Sequence, residues 1–84
     1  MKVTHNFTVV SKCPVNDGVD VYDAIARTER LIKVETILTE AEHYKDVAAY
    51  QEDICESLSQ KLGCEVTLIG THSGVRTEVT CGTA

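Results

Sequence analysis

Chain breakers are scarce in this sequence. One proline and five glycines occur in 84 residues, too few for a long disordered stretch. Positive charge is scarce as well: Lys and Arg number 8 against 13 Asp and Glu, for a net charge of −5. A domain that grips a phosphate backbone carries a basic face, so these scattered cations disfavour tight nonspecific binding to nucleic acid and leave open only a local contact. No basic amphipathic stretch marks a membrane surface, and no apolar run approaches the roughly 20 residues that span a bilayer. Residues 1–10 lack a signal-peptide core followed by a cleavage site, which predicts a cytoplasmic protein. Its cysteines, Cys13, Cys55, Cys64 and Cys81, are then expected as free thiols. They form no C-x-x-C pair, and His5, His43 and His72 have no ligand spacing, so no metal is expected.

What remains is an ordinary globular composition, 43% apolar. The length fits one domain, residues 1–84, with a modest core. A domain of this size is marginal by itself, which predicts a homo-oligomer.

Val3-Thr-His-Asn-Phe-Thr-Val-Val10 alternates and is rich in β-branched residues. It predicts a strand with Val3, His5, Phe7 and Val9 on one face. Cys13-Pro-Val-Asn-Asp-Gly18 carries turn chemistry. Residues 19–33 admit two readings. Val19, Val21, Asp23, Ile25 and Arg27 permit a strand, whereas Val21, Ile25, Thr28 and Ile32 permit a helix capped at Asp20. Residues 35–45 predict a helix with Ile37, Leu38, Ala41 and Tyr44 at helical spacing. A second helix, capped by Asp46, carries the stripe Tyr50, Ile54, Leu58 and Leu62 and stops at Gly63. Residues 65–69 and 75–81 read as strands joined by the loop 70–74.

Several residues can carry chemistry. Cys13 stands at a strand-to-loop junction, where reactive groups are commonly held, although a free cysteine also serves as a small core residue. Asp20 is a turn acceptor or cap, or a proton carrier for Cys13 if the loop folds back. Gln51, Glu52 and Asp53 open the second helix, where its dipole favours acidic groups. A carboxylate there can also accept two parallel N–H bonds from a guanine-like ring edge. Glu35 has the same two readings at the first helix. His72, in the loop between the last strands, is the histidine with the best claim to a role. Cys55, Cys64 and Cys81 fall inside elements and read as packing residues.

Cys13-Pro-Val-Asn-Asp-Gly-Val-Asp20 resembles the nucleophile loop C-P-x-T-G-x-P-D of the 7-cyano-7-deazaguanine (preQ0) nitrile reductases, with the same separation of Cys and Asp. Val34-Glu35 is similar to that family's V-E at its first helix, Tyr50-Gln51-Glu52-Asp53 to its F-H-E-D, and Thr71-His72-Ser73-Gly74 to its T-P-R-G. The matches keep their order and span nearly the whole chain. The resemblance implies an α+β tunnelling fold, ββααββ, with residues 19–33 as its second strand. It also implies a four-stranded antiparallel sheet, two helices on one face, and protomers joined into an oligomeric barrel. A purine-like or pterin-like small molecule would bind between subunits. Cys13 would attack the nitrile carbon to give a thioimide and Asp20 would move the proton. Glu52 would anchor the heterocycle, with Glu35, Gln51 and His72 beside it. The family's S-K-S-x-K, associated with nicotinamide phosphates, is replaced by Thr36-Ile37-Leu38-Thr39-Glu40. The expectation is therefore no cofactor and amidine formation, as in the non-reductive amidinotransferase relatives of queuosine and archaeosine biosynthesis. With net negative charge, a free base or nucleoside is favoured over transfer RNA. The alternatives are an NADPH-dependent nitrile reductase, another pterin- or GTP-processing enzyme of this fold, and a purine- or pterin-binding module without catalysis.

Overall fold

The alternating first segment forms a strand that outruns its apolar pattern: β1 spans Val3–Lys12. It pairs antiparallel with β2, Val19–Thr28, from Val3↔Thr28 to Lys12↔Val19. The structure, a computed structural model, describes residues 1–82. Two helices follow, α1 at Val34–Glu42 and α2 at Gln51–Leu62, then β3 at Glu65–His72 and β4 at Val75–Cys81. The sheet order is β1-β2-β3-β4, with every neighbouring pair antiparallel.

The expected second strand is thus present and is not a helix, although it stops at Thr28, short of residue 33. Its period-2 signal is weak because both faces carry apolar side chains. Tyr22, Ala24 and Ala26 face the helices and are buried, while Val19 and Val21 stand exposed on the other side. Val9, Tyr22, Val66 and Leu68 from the sheet meet Ile37, Ile54, Leu58 and Leu62 from the helices in one core. Leu58 is fully buried there. Its truncation to alanine leaves a cavity, and Leu58→Ala is expected to cost about 2–5 kcal/mol. That is a large part of the roughly 5–15 kcal/mol holding a small domain folded, and a urea melt reads it directly.

Helix boundaries differ from the sequence expectation. α1 ends at Glu42, short of residue 45. α2 begins at Gln51, and Asp46 is not its cap: Tyr50 holds the N-cap position with no side-chain cap bond. Residues 46–50 are spent on the sheet edge instead. Lys12 donates its N–H to Val47 O at 3.0 Å, and Lys12 bridges Ala48. The C-terminal stop falls as expected, with Gly63 at φ 67° and its N–H on Ser59 O at 2.9 Å. The last connection is tighter than a five-residue loop. Ser73 and Gly74, at φ 51° and 81°, turn the chain between β3 and β4, as two-residue hairpins require. His72 is therefore the last residue of β3 and not a loop residue. Among the described residues, no helix is long and apolar enough to cross a membrane.

Candidate active site

Strand alternation assembles the site. Ser11 and Tyr22 face the helices at one end of the sheet, period 2 carries Asp20 to the same side, and Cys13 follows directly after the end of β1. β2–β3 pairing ends at Asp23↔Ile69, so no ladder bonds tie the segment from Asp20 to Tyr22 to β3. There a cleft of 630 Å³ opens, lined by Cys13, Asp20, Tyr22, Gln51, Glu52 and His72 among others. Five sequence candidates, Cys13, Asp20, Gln51, Glu52 and His72, line this one cleft. Glu35 does not line it, being exposed in the first turn of α1.

The turn residues hold Cys13 at the rim. Gly18 donates its N–H to Asn16 Oδ1 at 2.6 Å. Cys13 N–H reaches Gly18 O at 2.9 Å, which closes the loop back on itself. Cys13 is partly exposed and lines the cleft. The other thiols are placed differently. Cys55 is buried and points to Val66 O at 3.2 Å and Val79 O at 3.4 Å, tying α2 to β3 and β4. Burial first, and the neighbouring Cys81 second, push its thiol from 9.0 to about 12. Burial also raises Cys64, against the pull of Arg30.

Asp20 is gripped from two strands. Tyr22 Oη lies 3.4 Å from its Oδ2, and His72 Nδ1 lies 3.5 Å from its Oδ1. Burial, then the Asp20 charge, raises the Tyr22 hydroxyl from 10.0 to about 12, so it remains a donor. Glu52 enters from the first turn of α2 and is exposed, its carboxylate unspent. Gln51 is different. Its Nε2 donates to Leu68 O at 2.9 Å and Thr77 O at 3.0 Å, so its amino group braces β3 and β4 and is closed to a ligand. Three residues escaped the sequence expectations: the buried Ser11, Tyr22, and Gly70 beneath it. The available signal was the spacing of two that puts Tyr22 with Asp20 on any strand.

The raised thiol and phenol make alkali destabilising. Both groups keep their protons more tightly folded than unfolded. Their contribution is whole below pH 9 and is lost as pH rises toward 12. Tyr22 alone accounts for about 2–3 kcal/mol of this fall, all of it above pH 10. Urea midpoints measured at rising pH should show the decline, and Tyr22→Phe should flatten its upper part.

Among the described residues, no group of three His, Cys, Asp or Glu side chains is arranged to hold a metal ion. No protein-family model and no curated protein sequence matches the chain. Among solved structures, the archaeosine synthase QueF-Like, crystallised in its apo form, is similar at a TM-score of 0.86. The match covers 95% of this chain and 90% of that one, at 19% sequence identity. An identity that low speaks for architecture, and the architecture is plain in the strand order, the antiparallel pairing and the two helices on one face: the chain has the tunnelling fold.

Proposed function

We propose that the chain binds a 7-deazaguanine nitrile and converts it to an amidine through a thioimide on Cys13. The observation that carries this is the meeting of an accessible thiol, a carboxylate and a second, unspent carboxylate in one cleft: Cys13, Asp20 and Glu52. The chemistry needs those three and nothing redox-active. Sulfur attacks the nitrile carbon and forms an S–C bond. One C–N π pair moves to nitrogen, and the thiol proton reaches that nitrogen through Asp20. Ammonia then adds to the thioimide carbon and expels the sulfur as thiol, so nitrile and ammonia sum to amidine. Glu52 accepts the paired N–H donors on the pyrimidine edge, which fixes the ring while the exocyclic nitrile points to sulfur. The likeness in fold to an archaeosine synthase supports the same substrate class. A net charge of −5 favours a free base or nucleoside over a polynucleotide.

The positions matching the reductases' cofactor lysines support the non-reductive course. Ile37 is buried in the core, and Glu40 is acidic. Neither can pair with a nicotinamide phosphate. The experiment is intact-mass spectrometry of the protein incubated with the nitrile and no ammonia. The expected result is a gain of one whole ligand per chain, released as amidine when ammonia is added. No covalent gain, or a reaction that depends on NADPH, contradicts the proposal.

The assembly belongs to the same proposal. Both sheet edges, β1 and β4, lack a neighbouring strand among the described residues, and Val75 on β4 and Val21 on β2 are left exposed. Unpaired edges invite pairing with another copy. Copies joined edge to edge would form a barrel with the cleft at the subunit boundary. Sedimentation or light scattering should then give a multiple of the 9.2 kDa chain. A monomer at micromolar concentration contradicts the barrel.

A further inference from the structure

A carboxylate that ferries a proton has to stand within hydrogen-bond reach of both the sulfur and the accepting nitrogen. Asp20 occupies a poor position for that task by itself. It lies three residues beyond the last β2–β3 pair, and a free aspartate side chain can rotate toward solvent. Yet its side chain is only 13% exposed, and each oxygen has its own partner. Tyr22 reaches Oδ2 from the same strand, and His72 reaches Oδ1 from the end of β3. The two rings lie against each other, centroids 5.9 Å apart at 56°. Tyr22 itself is 1% exposed and has one place to be, over Gly70. A Cβ on residue 70 would stand 2.5 Å from Tyr22 Cδ1 and 2.7 Å from Cε1, closer than real side chains tolerate. Gly70 has no positive φ to explain it; the tyrosine ring does. The buried Ser11 side chain stands beside this cluster on β1, opposite Asp20 in register.

We propose that Tyr22 and His72 are positioning residues that hold the Asp20 carboxylate by its two oxygens toward Cys13, with Gly70 as the seat of the tyrosine ring. This rests on the function proposed above for Asp20's role, but not for the grip itself. The titratable groups that line the cleft with His72 are Asp20 and Tyr22 from β2, Cys13 from the turn, Tyr50 just before α2 and Glu52 from α2. Of these only Asp20 is within ion-pair distance of its imidazole, at 3.5 Å. Tyr22 donates its hydroxyl to one carboxylate oxygen, and His72 pairs with the other from Nδ1.

Two measurements on the full chain test this. The first needs no substrate: long-range nitrogen–proton correlations of the His72 ring, in wild type and in Asp20→Asn. The wild type should show Nδ1 carrying the proton toward Asp20, and D20N should lose that preference. An unchanged ring spectrum overturns the His72 arm, whatever the chemistry of the cleft. The second is the rate of adduct formation on Cys13 with 7-cyano-7-deazaguanine. Tyr22→Phe and His72→Asn should each slow it by about 10- to 100-fold, the scale of a misplaced catalytic group, with nitrile affinity changed less than about twofold. Either change added to D20N should slow D20N no further, because a positioning residue acts through the residue it holds. Losses that multiply, or a loss of affinity matching the loss of rate, overturn the proposal. Gly70→Ala removes no polar group but displaces the ring and its hydroxyl, so it should reproduce the Tyr22→Phe loss; full activity in G70A contradicts the seat. If wild type forms no adduct, the function fails and the ring spectrum alone decides the grip.

Discussion

Cys13→Ala abolishes covalent capture of the nitrile while the protein stays folded. Cys13 is partly exposed, lines the cleft and lies outside the core cluster, so truncating it is expected to cost little stability. No other thiol can take over. Cys55 is buried and its proton is held up to about 12, Cys64 is buried and shifted the same way, and neither lines the cleft. A thiol that stays protonated does not attack. Cys81 is half-buried on β4 and also outside the cleft. Intact mass should therefore show one ligand on wild type and none on C13A, with peptide mapping placing it on Cys13. The size of the effect is complete loss, which no indirect structural change would mimic in a variant whose urea midpoint is unchanged.

Glu52→Gln weakens the binding of the heterocycle by about tenfold to a hundredfold. A carboxylate accepting N–H bonds contributes about 1.5–3 kcal/mol, and tenfold in affinity corresponds to about 1.4 kcal/mol. The amide keeps one acceptor and turns the other into a donor that meets the ring's own donors. Glu52 also favours the N-terminus of α2 through the helix dipole, an effect of only about 0.3–1 kcal/mol on stability. The two effects separate cleanly: titration with the nitrile on a C13A background reads affinity without reaction, and a urea melt reads the helix. Unchanged affinity in E52Q assigns the ring edge to some other group.

Much of this was legible before any coordinates. β1 and both helices announce themselves by period, and the last two strands by β-branched runs on either side of a turn. β2 does not. Its helix side is Tyr22, Ala24 and Ala26, its far side Val19, Val21 and Ile25, and a strand apolar on both sides loses its alternation. Its own pattern permitted strand or helix, and the element order of the family that the four motifs resemble pointed to the strand. With that strand in hand, Asp20 and Tyr22 two residues apart share a face, so the tyrosine could have been found. Gly70 could not, since its reason is a ring packed on it from another strand. Gln51 shows the opposite failure. A polar residue beside Glu52 suggested ligand contact, but its amino group is consumed by two backbone carbonyls that no local pattern reveals. The start of α2 was misjudged at Asp46 for a similar reason, because residues 46–50 answer to the edge of β1 rather than to their own propensity.

The central claim is that a sulfur, a proton carrier and a ring anchor act on one molecule in one cleft. A crystal structure of the wild-type protein soaked with 7-cyano-7-deazaguanine tests it most directly. The account predicts continuous density from Cys13 Sγ into the former nitrile carbon, Asp20 within hydrogen-bond distance of the imide nitrogen, and Glu52 on the pyrimidine edge. A ligand bound away from Cys13, or seated in the cleft with its nitrile turned from the sulfur and its ring edge away from Glu52, would contradict it.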